Sequence, residues 1–288
     1  MEWLNTIIQG LLLGGLYAMF AIGLSLMFGI MRLVNIAHGD FIVLGSYLSL
    51  VVISTLGLSV LWGFVLVVPL MFFIGYFLQK YLLNRTLGND ILPPLLVTFG
   101  LSIILQNLLM EIFTSNSQKV NVGEIEVLSI HIMEGLNIGV LPLIVFVCAI
   151  AIVLALQYIF YRTELGRVFR ATSDDQNIVQ LMGVKNSHVF SLAMGIAMAV
   201  VAIAGIFLAM RTNFDPSIGP ARLLYGFEAV IIGGLGSIWG TLIGGIILGI
   251  SQSIGAKIDP GFQILAGHIV FLVILIFKPR GLFPRSID

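Results

Sequence analysis

Charge is scarce in this chain. Only 10% of its 288 residues are Asp, Glu, Lys or Arg, while 59% are hydrophobic; soluble domains carry about 25% charged residues. With a mean hydropathy of +1.09, that shortage excludes an ordinary soluble domain and identifies a polytopic membrane protein. Fourteen basic residues balance fourteen acidic ones, so nothing points to a nucleic-acid partner. Cysteine is almost absent: Cys148 stands alone in an apolar run, which excludes an intrachain disulfide and a cysteine metal cluster. The four histidines, His38, His131, His188 and His268, lie far apart and lack metal-ligand spacing. Walker loops, nucleophile elbows and paired carboxylates inside a span are missing too. The chain therefore reads as non-catalytic, with no metal site and no cofactor of its own. Met1-Glu2-Trp3 offers no basic n-region and no small-residue cleavage site follows, so the first apolar segment is expected to be retained.

What the chain has is apolar runs, broken by polar islands and seeded with 32 glycines. The first span runs from Thr6 to Phe28. Gly10, Gly14, Ala18, Ala21, Ser25 and Gly29 line one face of it, so another helix backbone can approach closely. Arg32 to Asp40 then interrupts the apolar pattern. Non-helical backbone at membrane depth needs cover from protein or a wet cavity. Asn35, His38 and Asp40 therefore either line a pathway or satisfy freed backbone groups, with Gly39 beside them. Further spans are expected over Phe41–Leu56, Val60–Leu82, Leu95–Phe113, Val140–Phe160 and Phe190–Met210, with a last one over Phe262–Phe277. The polar stretch 115–139 predicts a small hairpin outside the bilayer. Leu223 to Gly255 is long for one span and short for two. Two short or half-membrane helices turning near Gly234–Gly236 fit it best, with Gly233 just before the turn. Glu228 is the clearest carboxylate within an apolar run, a functional candidate by default.

One polar island, Arg162 to Val189, stands apart. It predicts a short helix with Ser173 as N-cap and Gln176 completing a capping box. Asp174 and Asp175 fall in the first turn, where the helix dipole favours them, and Gly183 is the terminating residue. Ile178, Val179, Leu181 and Met182 would form one apolar face. A helix of about ten residues is too short to persist in water alone, so its face needs a surface. Composition leaves a partner protein and the lipid headgroups equally open.

Basic residues set the orientation. With the glycine run crossing back on itself, ten (Arg32, Lys80, Arg85, Arg162, Arg167, Arg170, Lys185, Lys278, Arg280, Arg285) gather on the side of the island, and Lys119, Arg211, Arg222 and Lys257 on the other. The expected fold is an all-α polytopic membrane protein of about eight crossing segments, N-terminus outside and C-terminus cytoplasmic. It forms a single transmembrane domain over 1–288, with a cytoplasmic loop at 161–189 and an extracytoplasmic loop at 115–139.

Three stretches carry a resemblance. Gly15-Leu-Tyr-Ala-Met-Phe-Ala-Ile-Gly-Leu24 with Asn35-Ile-Ala-His-Gly-Asp40 resembles the N-terminal signature of permease subunits of ABC importers for branched-chain amino acids. Gly166-Arg-Val-Phe-Arg-Ala171, Asp175 and Leu181-Met-Gly-Val184 resemble that family's cytoplasmic loop. Glu228 to Ser237 followed by Gly240 and Gly244-Gly245 resembles its C-terminal glycine motif. The resemblance implies a bacterial inner-membrane permease with several partners: two cytoplasmic ATP-binding subunits, which bind the ATP, a second homologous permease and an extracytoplasmic solute-binding protein. It assigns the island to ATPase coupling, through Arg167, Arg170, Ser173, Asp174, Asp175, Gln176, Ile178, Leu181, Met182 and Gly183. It leaves Asn35, His38, Gly39, Glu228, Gly233, Gly234 and Gly236 as substrate-pathway candidates. One departure is visible: the general coupling motif of ABC importers has Glu-Ala-Ala where this chain has Ala171-Thr-Ser-Asp-Asp-Gln. Urea and short-amide permeases share the architecture, and a stand-alone ion-coupled carrier using Glu228 or His38 is the reading from another class.

Overall fold

A computed structural model of the chain describes residues 2–88, 90–133 and 136–283. Eleven α-helices and one two-stranded hairpin make up the regular structure of those residues. Helix α1, Glu2–Met31, is the central mast, buried over most of its length. At about 1.5 Å per residue its 30 residues reach ~45 Å, more than a hydrocarbon core needs. The small-residue face expected of it is used against α10, Ile238–Ile258. A Cβ at Gly14 would lie 2.5 Å from Ile246 Cα, and one at Gly245 would lie 2.7 Å from Ala18 N. Neither site has room for a side chain, so the two backbones touch, as small-residue interfaces in lipid allow.

After Met31 the chain stops being helical. Arg32 takes φ of +53°, a left-handed conformation unusual for a non-glycine residue. The non-helical run from Arg32 to Ala37 then turns back along α1, and α2, His38–Leu50, begins inside the bundle. The depth is set by His38, whose Nε2 lies 2.8 Å from Phe20 O, ~16 Å along α1 from Met31 at 1.5 Å per residue. A π-helical turn, Val51–Thr55, ends α2. Next come α3 (Val60–Tyr81) and α4 (Leu92–Phe113), the latter opening on Pro93-Pro94 in its first turn. Strands β1 (Ser129–Met133) and β2 (Leu136–Gly139) pair antiparallel as the expected hairpin, and α5 (Val140–Arg162) follows.

The polar island forms α6, Glu164–Asp174, and α7, Gln176–Leu181. Helix α8, Asn186–Arg211, returns through the bundle. The glycine-rich segment is two helices, α9 (Gly219–Gly233) and α10, with Gly234 at φ +107° and Gly236 at φ +80° making the turn between them. Only glycine takes such angles without strain, so the expected turn at Gly234–Gly236 is met. The expected pair of short helices is not, because α9 has 15 residues but α10 has 21, long enough to cross by itself. Helix α11, Phe262–Phe277, completes the set. Among the described residues, seven helical segments are long and apolar enough to cross a membrane, and α11 is apolar but shorter, in keeping with the all-α polytopic architecture and about eight crossings.

Two ends of the bundle are defined by contacts. At one, Gln9 donates to Asn137 O (2.7 Å), Lys257 pairs with Glu2 (2.5 Å) and Gln118 N donates to Phe214 O (2.8 Å). At the other, Ser173 Oγ donates to Gly29 O (2.5 Å), Asn84 donates to Ser187 O (3.0 Å) and Phe283 N donates to Gly233 O (3.0 Å). Nine of the ten basic residues grouped by sequence belong to this second end; the tenth, Arg285, lies outside the described residues.

Candidate functional site

The island folds differently from its sequence expectation, and the difference is one of capping. Thr163 caps α6, its hydroxyl accepting from Gly166 N at 3.2 Å. Helical pattern then continues through Ser173, which ends up in the last turn of α6 and not at an N-terminus. The N-cap of the second helix is Asp175, whose carboxylate accepts from Asn177 N at 2.8 Å and Ile178 N at 3.1 Å. Gln176 is therefore the first residue of α7 and completes no capping box. A carboxylate accepts amide protons more strongly than a hydroxyl, so the break falls at Asp175. Gly183, at φ +87°, stops α7 as expected, with Val184 N reaching back to Val179 O at 3.3 Å.

The single apolar face is likewise divided. Val179 turns inward and is 5% exposed. Ile178, Leu181 and Met182 turn outward, at 56%, 89% and 79% exposure, and form an apolar tip at the end of the chain's most polar segment. Arg167 pairs with Glu164 at 3.2 Å on the exposed side. Arg170 folds back, donating to Phe160 O and lying 5.1 Å over the Tyr161 ring. Ser173 joins this arm to α1 at Gly29, and Asn186 joins it to α8 by donating to Gln176 O at 2.9 Å. A cavity of about 490 Å³ separates the Ser173–Asn177 junction from Arg32–Val34 and the start of α4. The Ser173–Gly29 bond therefore holds the arm to the last turn of α1, just before the run that leads into α2.

The pathway candidates fall into two groups. Asn35, His38 and Gly39 are buried where α2 begins. Asn35 Oδ1 accepts from Ala37 N at 3.0 Å, and Thr98 Oγ1 of α4 accepts from Ile36 N at 3.2 Å, so the break satisfies its own backbone. Here α2 crosses the first turn of α9: a Cβ on Gly39 would run into Gly219 O, and one on Gly219 into the Asp40 carboxylate. Two helix N-termini therefore meet inside the bundle. The dipole of such termini favours an anion, and the buried Asp40 carboxylate occupies that position, faced by Ser102 and Gln106 of α4. Glu228, two turns further along α9, is buried and paired with His268 of α11. Gly233, Gly234 and Gly236 lie at the far end of α9, against Gly240, Gly281 and Gly29, and form the hinge of the α9–α10 turn. The structure brings Asn35, His38, Gly39 and Asp40 together and keeps the glycine turn apart from them.

Sequence reasoning missed His268, because the histidines were inspected for metal spacing and not for a carboxylate partner 40 residues away. It missed also the bond from Tyr17 OH to Gln252 Oε1, 2.6 Å and buried between α1 and α10. A polar residue recurring inside each of two apolar runs was the only signal.

The family model for the permease component of branched-chain amino acid transport systems matches residues 6–277. The chain belongs to that family. It is 29% identical to the high-affinity branched-chain amino acid transport system permease protein BraD of Pseudomonas aeruginosa, with 99% of this chain and 96% of that protein covered. To LivH of Escherichia coli K12, a permease protein of the same kind of system, it is 28% identical, covering 98% and 96%. LivM of the same organism is 22% identical and is covered over 68% of its length. Among solved structures, PsaBC from Streptococcus pneumoniae in complex with Fab has the same overall fold, with a TM-score of 0.50 at 14% identity over 97% of this chain. This permease-family chain is a multi-pass membrane transport component.

Proposed function

We propose that the chain is the permease subunit of an ATP-driven importer for branched-chain or other neutral amino acids, seated in the bacterial inner membrane. In this reading it pairs with a second, related permease and with two cytoplasmic ATPase subunits that bind the ATP, and receives substrate from an extracytoplasmic binding protein. The observation that carries it is the α6–α7 arm. A chain of this family with no nucleotide motif must take its driving force from elsewhere, and the arm presents three exposed apolar side chains beside a concentration of basic residues. Basic residues favour the cytoplasmic face, so that end is assigned inside, with the N-terminus outside. ATP-driven closure of the ATPases pulls on the arm, and the Ser173–Gly29 contact carries the motion to α1 and to the break before α2. The crossing of α2 and α9 is the place where broken helices can expose polar backbone to a substrate.

The test is uptake by proteoliposomes holding the full complex. Leucine uptake that needs ATP and is competed by isoleucine and valine, but not by urea, is the expected result. Uptake by this chain alone, driven by a proton gradient and abolished by Glu228→Gln, would refute the assignment.

A further inference from the structure

A second polar cavity, of about 290 Å³, lies at the arm's end of the bundle, between α1, α5 and the start of α10. Ser25, Gln157, Tyr161, Arg170, Ser237 and Trp239 supply its polar and aromatic lining. Arg170 is the sole charged residue in that lining; no carboxylate faces the space. One guanidinium nitrogen is engaged by Phe160 O, and the rest of the fork remains for a ligand, since guanidinium carries five N–H donors. The first turn of α10 opens into the same space. Ser237 Oγ caps Gly240 N at 3.1 Å, leaving the Ile238 and Trp239 amides, which by position have no partner within the helix.

The independent sign of a missing ligand is Ser25. It lines the cavity from α1, is 1% exposed, and its Oγ has no hydrogen-bond partner among the described residues. A buried hydroxyl is ordinarily satisfied. The rim is built for the membrane interface: Trp239 donates to Gln157 Oε1, and Trp and Tyr concentrate at headgroup depth. Leu154 and Tyr158, exposed on the same face of α5 as Gln157 and Tyr161, extend from the cavity's rim as an exposed, largely apolar strip along the helix.

From these features we infer that the cavity is a binding site for the phosphodiester headgroup of an anionic phospholipid, with an acyl chain along α5. Arg170 and the α10 amides hold the phosphate and Ser25 donates to an oxygen of the headgroup. Arg170 thereby ties the base of the arm to the lipid, a role independent of what the arm's tip contacts.

The assembled transporter, purified from vesicles of equal parts phosphatidylcholine and phosphatidylglycerol, tests this by native mass spectrometry of retained lipid. One phosphatidylglycerol per copy of this chain is expected. Arg170→Gln and Ser25→Val should lower its retention, Arg170→Gln by roughly tenfold or more, as for loss of a charge-assisted bond, and Arg170→Lys should restore part of it. Equal retention of phosphatidylcholine, displacement by inorganic phosphate, or unchanged retention in Arg170→Gln would overturn the inference. Should the variants fail to fold, a photoreactive phosphatidylglycerol decides on the wild type. Labelling at 157–161 and 236–239 supports the site. Labelling elsewhere overturns it.

Discussion

Truncating the tip of α7 separates docking from folding more cleanly than any other change in this chain. Leu181 and Met182 are 89% and 79% exposed, so nearly all of each side chain is available for burial on a partner. Leu→Ala or Met→Ala removes three heavy atoms, and at about 0.8 kcal/mol per buried CH₂ the loss is ~2 kcal/mol for either. At 1.4 kcal/mol per decade this is roughly a 30-fold weaker association with the ATPase. The double variant approaches 10³-fold only if the adjacent residues act independently, which neighbours often do not. Stability of the permease itself should change by no more than about 0.5 kcal/mol, the usual range for surface sites. Val179 gives the opposite pattern. It is buried, so Val179→Ala should destabilise the permease by ~1–2 kcal/mol and affect docking only through the arm's integrity. The assay pairs titration of ATPase subunit onto the purified permease with thermal unfolding in the same detergent. Wild-type affinity for Leu181→Ala, or a melting-temperature drop in the isolated permease matching the affinity loss, would refute the reasoning. The first outcome would place the tip on lipid, the second within the fold.

Three further outcomes are expected. Asp175→Ala, which removes the α7 N-cap at a cost of ~1 kcal/mol, should speed amide exchange at residues 176–182, whereas Ser173→Ala should not; the reverse order would restore Ser173 as the cap. Gly14→Leu should force α1 and α10 apart by ~1 Å or more, since a Cβ there would sit 2.5 Å from Ile246 Cα against ordinary carbon contacts of ~3.5–4 Å; a thermal-stability loss of ~1–3 kcal/mol is expected, and wild-type stability would refute the backbone contact. His268→Ala leaves the Glu228 carboxylate buried without its partner and should destabilise by ~1–3 kcal/mol. Combined with Glu228→Gln the loss should be much less than the sum of the single changes, as a double-mutant unfolding cycle measures.

Composition alone determined that the chain lives in a membrane, because a 10% charged sequence has too little polar surface for water. Apolar run lengths placed the spans to within a few residues, and the glycine pattern placed the α9–α10 turn, since backbone length and φ at Gly234 and Gly236 are local properties. The motifs also carried the family. Tertiary structure decided three things. The cap of α7 went to Asp175 over Ser173 because α6 extended through Ser173 and packed it on Gly29. Val179 parted from Leu181 and Met182 because only contact with the bundle fixes which side of a short helix is covered. The meeting of Asp40 with Gly219, 179 positions apart, and of Glu228 with His268 came from helix crossings. No local periodicity records such pairs, because they depend on how distant backbones come together through glycine.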